Sequence, residues 1–288
     1  MADLGLSSTG VGPSQSTAAE LAVRARRPRL AASRRSRGAR PLRATGIPGP
    51  EGDPILPPCA RVGSLGELLE WLSVLEDALE PTDGVRWFVR LYREASAAVA
   101  KSLEAGDMED PPFLEALGVH CGNAFLAALD AAERGGNVPD AWEPIFDARA
   151  YTSVAPLQFA IAGLNAHVNR DLALGLCAGW IAADGEPDPA GPRGDDYRRL
   201  NELIGAALEE IKPWLLTGAV AGLDHVLGMI DDRVALWSVA RAREAAWTHA
   251  TVLWHLRERS VLNAAYAATL DRTTGLAGRL LTVPLPID

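Results

Sequence analysis

Two polar side chains in an apolar stretch have the types and spacing for acid–base chemistry. His167 and Asp171 lie four residues apart in the run 155–184, whose apolar residues recur at helical spacing. On an α-helix this spacing places both side chains on one face, where a carboxylate can hold one ring nitrogen and leave the other free as a general base. We predict His167 as a catalytic base or acid and Asp171 as its orienting group.

Three amide side chains follow the opposite border of the same helix: Gln158, Asn165 and Asn169. Amide groups can hydrogen-bond the carbonyl or hydroxyl of a substrate. Asn165 and Asn169 are therefore predicted as catalytic hydrogen-bond donors, and Gln158 as a substrate-binding residue. Between the two borders runs an apolar stripe that we expect to face a largely apolar pocket. The alternative is a structural role, in which these polar side chains satisfy one another.

A second segment, 232–254, combines large aromatic rings with arginines at helical spacing. The rings could wall an apolar ligand pocket, and an arginine could meet a carboxylate or phosphate. Ordinary core packing is the alternative. The predicted substrate-binding residues outside the first helix are Tyr197, Trp237, Arg241, Arg243, Trp247 and Trp254.

A metal site has weaker support in the sequence. His167 and Asp171 could supply two ligands, with a third from His120, Asp130 or Asp224. The sequence has no HExxH, GxSxG, GxxxxGK[ST] or GxGxxG motif, so zinc protease, serine hydrolase, P-loop and Rossmann chemistry lack a motif. We predict no metal and no cofactor.

Charge divides the chain into two parts. Residues 1–61 hold ten arginines and four acidic residues, while the whole chain has a net charge of −9, so the remainder is strongly acidic. An acidic surface repels a phosphate backbone, and nucleic-acid binding by the folded part is not expected. Residues 1–61 lack helical or strand periodicity and are predicted to be disordered, either as an unselected extension, a basic arm or a targeting sequence.

Helical periodicity dominates the rest of the chain, predicted as one domain over 62–288. Ser64 and Glu67 have the spacing of a capping box that opens the first apolar run. Hydrophobic content of 48% with 23% charged residues is typical of a globular protein. The fold class is therefore all-α, a single bundle-like domain of about seven helices, with runs after the first at about 83–105, 111–134, 155–184, 195–217, 230–258 and 260–281.

Charged and amide residues near the centre of 155–184 argue against a membrane span. Cys121 and Cys177 have apolar helical neighbours and are expected to be buried, unreactive thiols. With three cysteines and no CxxC pair, a disulfide framework is not expected, and we predict a cytoplasmic protein.

Several motifs lie along the helical part of the chain: 83–92, 142–146, 165–172, Asp196-Tyr197 with Asn201, Trp237 with Arg241 and Trp247, and 275–279. Together they resemble an uncharacterised bacterial family designated domain of unknown function 5995. The resemblance covers about Ser64 to Pro284 and implies a helical domain, with no reaction or substrate attached.

Three functions remain open from the residues. The first is an enzyme of specialised metabolism that acts on a hydrophobic small molecule by cofactor-independent proton transfer, in a cyclisation, isomerisation or elimination. The second is a non-enzymatic binder of a lipophilic ligand or a protein partner. The third is a metal-dependent hydrolase.

Overall fold

The computed structural model describes residues 60–216 and 239–284. All regular structure in these two ranges is helical, which confirms the predicted all-α class. The predicted disordered arm lies outside the described residues, apart from its last two positions. Trp237 and Asp224, named above as candidates, also lie outside them.

Helices form where the periodicity predicts them. A short helix, Glu143–Ala148, is an addition to the predicted set. The part of 230–258 that is described is helical from Val239 to His255. The helices are α1 (Leu65–Ala78), α2 (Val85–Glu104), α3 (Pro111–Arg134), α4 (Glu143–Ala148), α5 (Pro156–Ala166), α6 (Ala173–Ala182), α7 (Pro192–Leu216), α8 (Val239–His255) and α9 (Ser260–Leu281).

Local capping chemistry sets several of these boundaries. The Ser64 hydroxyl accepts a hydrogen bond from the backbone N–H of Glu67 at 3.1 Å, as the capping-box spacing predicts. Asp110 caps α3 in the same way, by accepting from the N–H of Phe113 at 3.1 Å. Gly135 ends α3 with a φ of 67°, a left-handed conformation that glycine adopts without steric cost.

A π-helical turn, His167–Leu172, joins α5 to α6. The predicted single helix over 155–184 is therefore continuous but not α-helical throughout. A π-helix bonds residue i to residue i+5 and occurs mostly as single turns inside α-helices, frequently at functional sites. This turn contains both residues of the predicted acid–base pair.

The segment formed by α5, the π-helical turn and α6 lies at the centre of the domain. It packs against α2, α3, α8 and α9. The approach to α2 is very close, since a Cβ added at Gly163 would lie 2.3 Å from the Phe88 ring. The central segment is thus a shared packing partner of these four helices.

Candidate functional site

A cavity of about 80 Å³ lies between the central segment and helices α2, α3, α7 and α8. Leu164, Val168 and Leu172 of the predicted apolar stripe line it. Most other lining side chains are also aliphatic or aromatic. The polar or titratable side chains in the lining are Tyr92, Ser96, Cys121, His167 and Arg243.

His167 begins the π-helical turn and lines the cavity. Its ring lies 4.5 Å from the Tyr92 ring and 6.2 Å from the Phe88 ring, measured between centroids. Its Nδ1 atom is buried and has no hydrogen-bond partner in the described part of the chain. Burial, aided by the positive charge of Arg243, lowers the pKa of His167 from 6.5 to about 3, so the imidazole is neutral at ordinary pH.

The predicted hydrogen bond between His167 and Asp171 is not formed. The Asp171 carboxylate instead accepts from Nε1 of Trp142 at 2.9 Å and from Nη1 of Arg170 at 2.5 Å. Because π-helical bonds join residues five apart, the four-residue spacing no longer places the two side chains as an α-helix would. The role of Asp171 as the orienting group of His167 is therefore wrong.

Asp171 belongs to a buried network that ties three parts of the chain together. The Nε of Arg170 lies 2.8 Å from Oδ1 of Asp271 on α9. The Asp271 carboxylate accepts from the backbone N–H groups of Asp140 and Ala141, each at 3.1 Å, just before α4. Burial raises the pKa of Asp171 to about 6, against the opposing effect of the neighbouring Arg170. This geometry is that of a structural connection.

The three predicted amides also face α9 and not the cavity. Asn165 donates from Nδ2 to the carbonyl of Thr274 at 3.0 Å, and its Oδ1 accepts from Nδ2 of Asn169 at 3.0 Å. Gln158 accepts from the N–H of Ala155 at 3.1 Å and donates to carbonyls at the end of α9, those of Leu281 and Val283. Their predicted substrate contacts are replaced by contacts within the protein, as the structural alternative proposed.

Arg243 is the predicted binding residue that the structure brings to the cavity. Only 3% of it is exposed, and its Cζ lies 4.6 Å from the centre of the Tyr197 ring. Nε of Arg243 donates to Oδ1 of Asn201, and the Tyr197 hydroxyl donates to the Arg243 carbonyl at 2.7 Å. Its Nη2 is buried, and none of the residues in 60–216 or 239–284 forms a hydrogen bond with it. Tyr197 thus supports Arg243 and is not itself part of the lining.

The remaining predicted binding residues lie elsewhere. Trp247 packs against the Trp180 and Tyr197 rings, at 4.9 and 5.0 Å between centroids. Trp254 donates from Nε1 to the carbonyl of Gly185 at 3.2 Å, and Arg241 is exposed. None of these three is among the residues that line the cavity. Trp237 lies outside the described residues.

Tyr92 and Cys121 are cavity residues that sequence reasoning assigned no functional role. The hydroxyl of Tyr92 is buried and has no hydrogen-bond partner among the described residues, and burial raises its pKa well above 10.0. Cys121 is buried, as predicted, and its thiol donates weakly to the carbonyl of Asp171 at 3.7 Å. Burial raises the thiol pKa, which agrees with an unreactive cysteine. Tyr92 falls in the 83–92 motif, the one signal that could have drawn attention to it.

Metal chemistry finds no support in the donor groups. Within the two described ranges, no group of three His, Cys, Asp or Glu side chains is arranged to hold a metal ion. The candidate ligand Asp130 pairs with Arg134 at 2.5 Å, and Asp171 is held by Arg170 and Trp142.

The comparison with protein families gives one match. A model described as a family of unknown function, DUF5995, matches residues 65–284. The chain belongs to this family. The match confirms the resemblance seen in the motifs and leaves residues 1–64 outside the DUF5995 region. Comparisons with curated proteins and with solved structures give no significant match.

One helix of the DUF5995 region is long and apolar enough to cross a membrane, judged by length and composition among the described residues. This helix is α3, Pro111–Arg134, and half of its most apolar window is buried inside the domain. Core helices pass the same test, so this feature is weak support for a membrane segment.

His167 gives the DUF5995 domain an expected sensitivity to acid. The unfolded chain takes up a proton near pH 6.5, while folded His167 stays neutral down to about pH 3. The free energy of unfolding therefore falls as pH is lowered through this window, by up to about 1.4 kcal/mol per pH unit. Urea unfolding of the wild type and His167→Asn between about pH 5 and 8 measures this as a difference in slope.

The difference between the two proteins isolates His167, because Asp171 acts in the opposite direction. Its folded pKa of about 6 lies above 3.8, so its contribution to stability falls as pH rises between these values. Both proteins retain Asp171, and its effect cancels in the comparison. Equal slopes below pH 6.5 would contradict the assignment of a neutral His167 with a lowered pKa.

Proposed function

We propose that the domain binds a small, mostly apolar molecule in the central cavity. One observation carries this proposal: Tyr92, His167 and Arg243 line the same cavity, and each has a buried polar atom to which no described residue forms a hydrogen bond. An unpartnered buried polar group costs about 1–3 kcal/mol, and a buried charge costs more. A bound ligand that forms hydrogen bonds with all three groups would remove these costs.

The lining supports an apolar ligand with a single polar end. Aliphatic side chains from α2, α3, α5 and α7 surround most of the cavity, and the three unpartnered groups come from α2, the π-helical turn and α8. Binding sites of this kind are mostly apolar, with a few polar groups that fix orientation. The ligand's polar end would lie beside Tyr92, His167 and Arg243.

Binding has better support than proton transfer by His167. A general base works best when its pKa is near the operating pH, and the pKa of His167 is lowered to about 3. A neutral imidazole with a free nitrogen is well suited to hydrogen bonding. Catalysis remains the second candidate, favoured by the position of His167 in a π-helical turn, a feature frequent at functional sites.

Native mass spectrometry of the purified full-length chain and ligand-observed NMR with butanamide test the proposal. We expect a retained small molecule or saturable binding of the probe. Ser96→Met, at a buried lining position of α2, fills part of the cavity and is expected to abolish binding. Ala268→Met, at an exposed position of α9, is the matched control and should bind as the wild type does.

Two results would overturn the proposal. One is the absence of both a retained molecule and probe binding in the folded wild-type chain. The other is binding that Ser96→Met and Ala268→Met leave equally unchanged, since the molecule would then occupy another place. Chemical conversion of the retained molecule on incubation would add catalysis to binding.

A further inference from the structure

Arg243 is a buried cation for which the described residues supply no counter-ion. No carboxylate of these residues lies within 4.0 Å of its guanidinium, and the groups that hold it are an amide oxygen and an aromatic ring. An isolated buried charge is costly, and native proteins normally pair it. We propose that the molecule held in the cavity is a monocarboxylate and that Arg243 is its counter-ion, an inference that rests on the proposed function.

The guanidinium is already fixed in position before any ligand binds. Its Nε donates to Asn201 and its face lies over Tyr197, and no described residue forms a hydrogen bond with Nη2. A planar guanidinium matches a carboxylate in shape and forms short, charge-assisted hydrogen bonds with it. Because Asn201 and Tyr197 hold the side chain, little conformational entropy is lost when the carboxylate arrives.

The other unpartnered groups suit a carboxylate as well. The raised pKa of Tyr92 keeps its hydroxyl protonated and able to donate. Neutral His167 donates from Nδ1 in the tautomer that carries its proton there. One cation and two neutral donors balance a single negative charge, whereas a phosphate dianion would be left with excess charge in an apolar site.

The rest of the lining selects against a second charge. No Asp or Glu occurs among the described residues that line the cavity, so a ligand ammonium group would have no counter-ion. Amino acids are therefore disfavoured, and an uncharged aliphatic tail is favoured by the leucine and valine side chains. A cavity of about 80 Å³ limits the tail to a few carbon atoms, so a short-chain acid such as butanoate is the appropriate probe.

Butanoate and butanamide form the matched pair of probes, since they have nearly the same shape and differ in charge. The wild-type chain, measured by NMR titration, is expected to prefer butanoate by about tenfold or more. Arg243→Gln should remove this preference while butanamide binding persists. Arg241→Gln, an exposed position on the same helix, is the charge-matched control and should keep the wild-type preference.

A third probe, 4-aminobutanoate, tests the requirement for an uncharged tail and should bind more weakly than butanoate. Equal affinity of the wild type for butanoate and butanamide would overturn the carboxylate assignment while the proposed binding function stands. A preference that survives in Arg243→Gln would overturn the role of Arg243. If neither probe binds the folded wild type, the proposed function fails as well.

Discussion

Replacing Asp171 with alanine is expected to lower the free energy of unfolding by about 2–4 kcal/mol, because the indole N–H of Trp142 loses its buried acceptor and Arg170 loses one of its two carboxylate partners. Asp171 has no exposed surface and accepts hydrogen bonds from Trp142 and Arg170. Without it, the indole N–H of Trp142 is buried and unpartnered, and Arg170 depends on Asp271 alone. Urea unfolding followed by circular dichroism at pH 7 measures the change.

Asp195→Ala provides the matched control. Asp195 pairs with Arg198 on the exposed side of α7, with 54% of its side chain accessible, so its loss should change stability by less than about 1 kcal/mol. Asp171→Asn keeps an acceptor oxygen for Trp142 and should fall between the wild type and Asp171→Ala. A loss no larger for Asp171→Ala than for Asp195→Ala would contradict the structural role and reopen a functional one.

The helices of this domain follow from the sequence because their signals are local. Ser64 and Asp110 cap the helices that they precede, and apolar residues recur at helical spacing within each run. The short α4 carries too few residues for a periodic signal. The π-helical turn also cannot be predicted from the periodicity of apolar residues, because one turn with different hydrogen bonding barely changes which residues face the core. That turn nevertheless decides whether His167 meets Asp171.

The candidate site depends on contacts between distant segments, which the sequence does not specify. His167 and Arg243 were predicted from separate helices for different reasons, and the fold brings both to one cavity with Tyr92. Tyr92 occupies an apolar stripe of α2, where a core role is the ordinary interpretation. The polar residues around 165–171 stand out in an apolar helix and indicated a special role. Most of them join the central segment to α9 and to the chain just before α4.

Arg243→Met is expected to stabilise the ligand-free protein, by about 1–3 kcal/mol, because an apolar side chain of similar length replaces a buried charge. The variant loses the hydrogen bond to Asn201 and the interaction with the Tyr197 ring. Asn201 is only partly buried, so water can replace the lost donor. The desolvation cost removed is larger than either loss. Thermal and urea unfolding without ligand measure the difference, with Arg241→Met as the exposed control.

Butanoate should reverse the order of stability of the wild type and Arg243→Met. A ligand that binds only the folded state stabilises it by RT ln(1 + [L]/Kd), so the wild type gains as the concentration rises and Arg243→Met does not. If a residue serves binding at the expense of stability, its replacement stabilises the ligand-free protein and destabilises it relative to the wild type when ligand is present. If a residue serves packing, its replacement lowers stability with or without ligand. A lower free energy of unfolding for ligand-free Arg243→Met would therefore place Arg243 with the structural residues, beside Asp171 and Asn165.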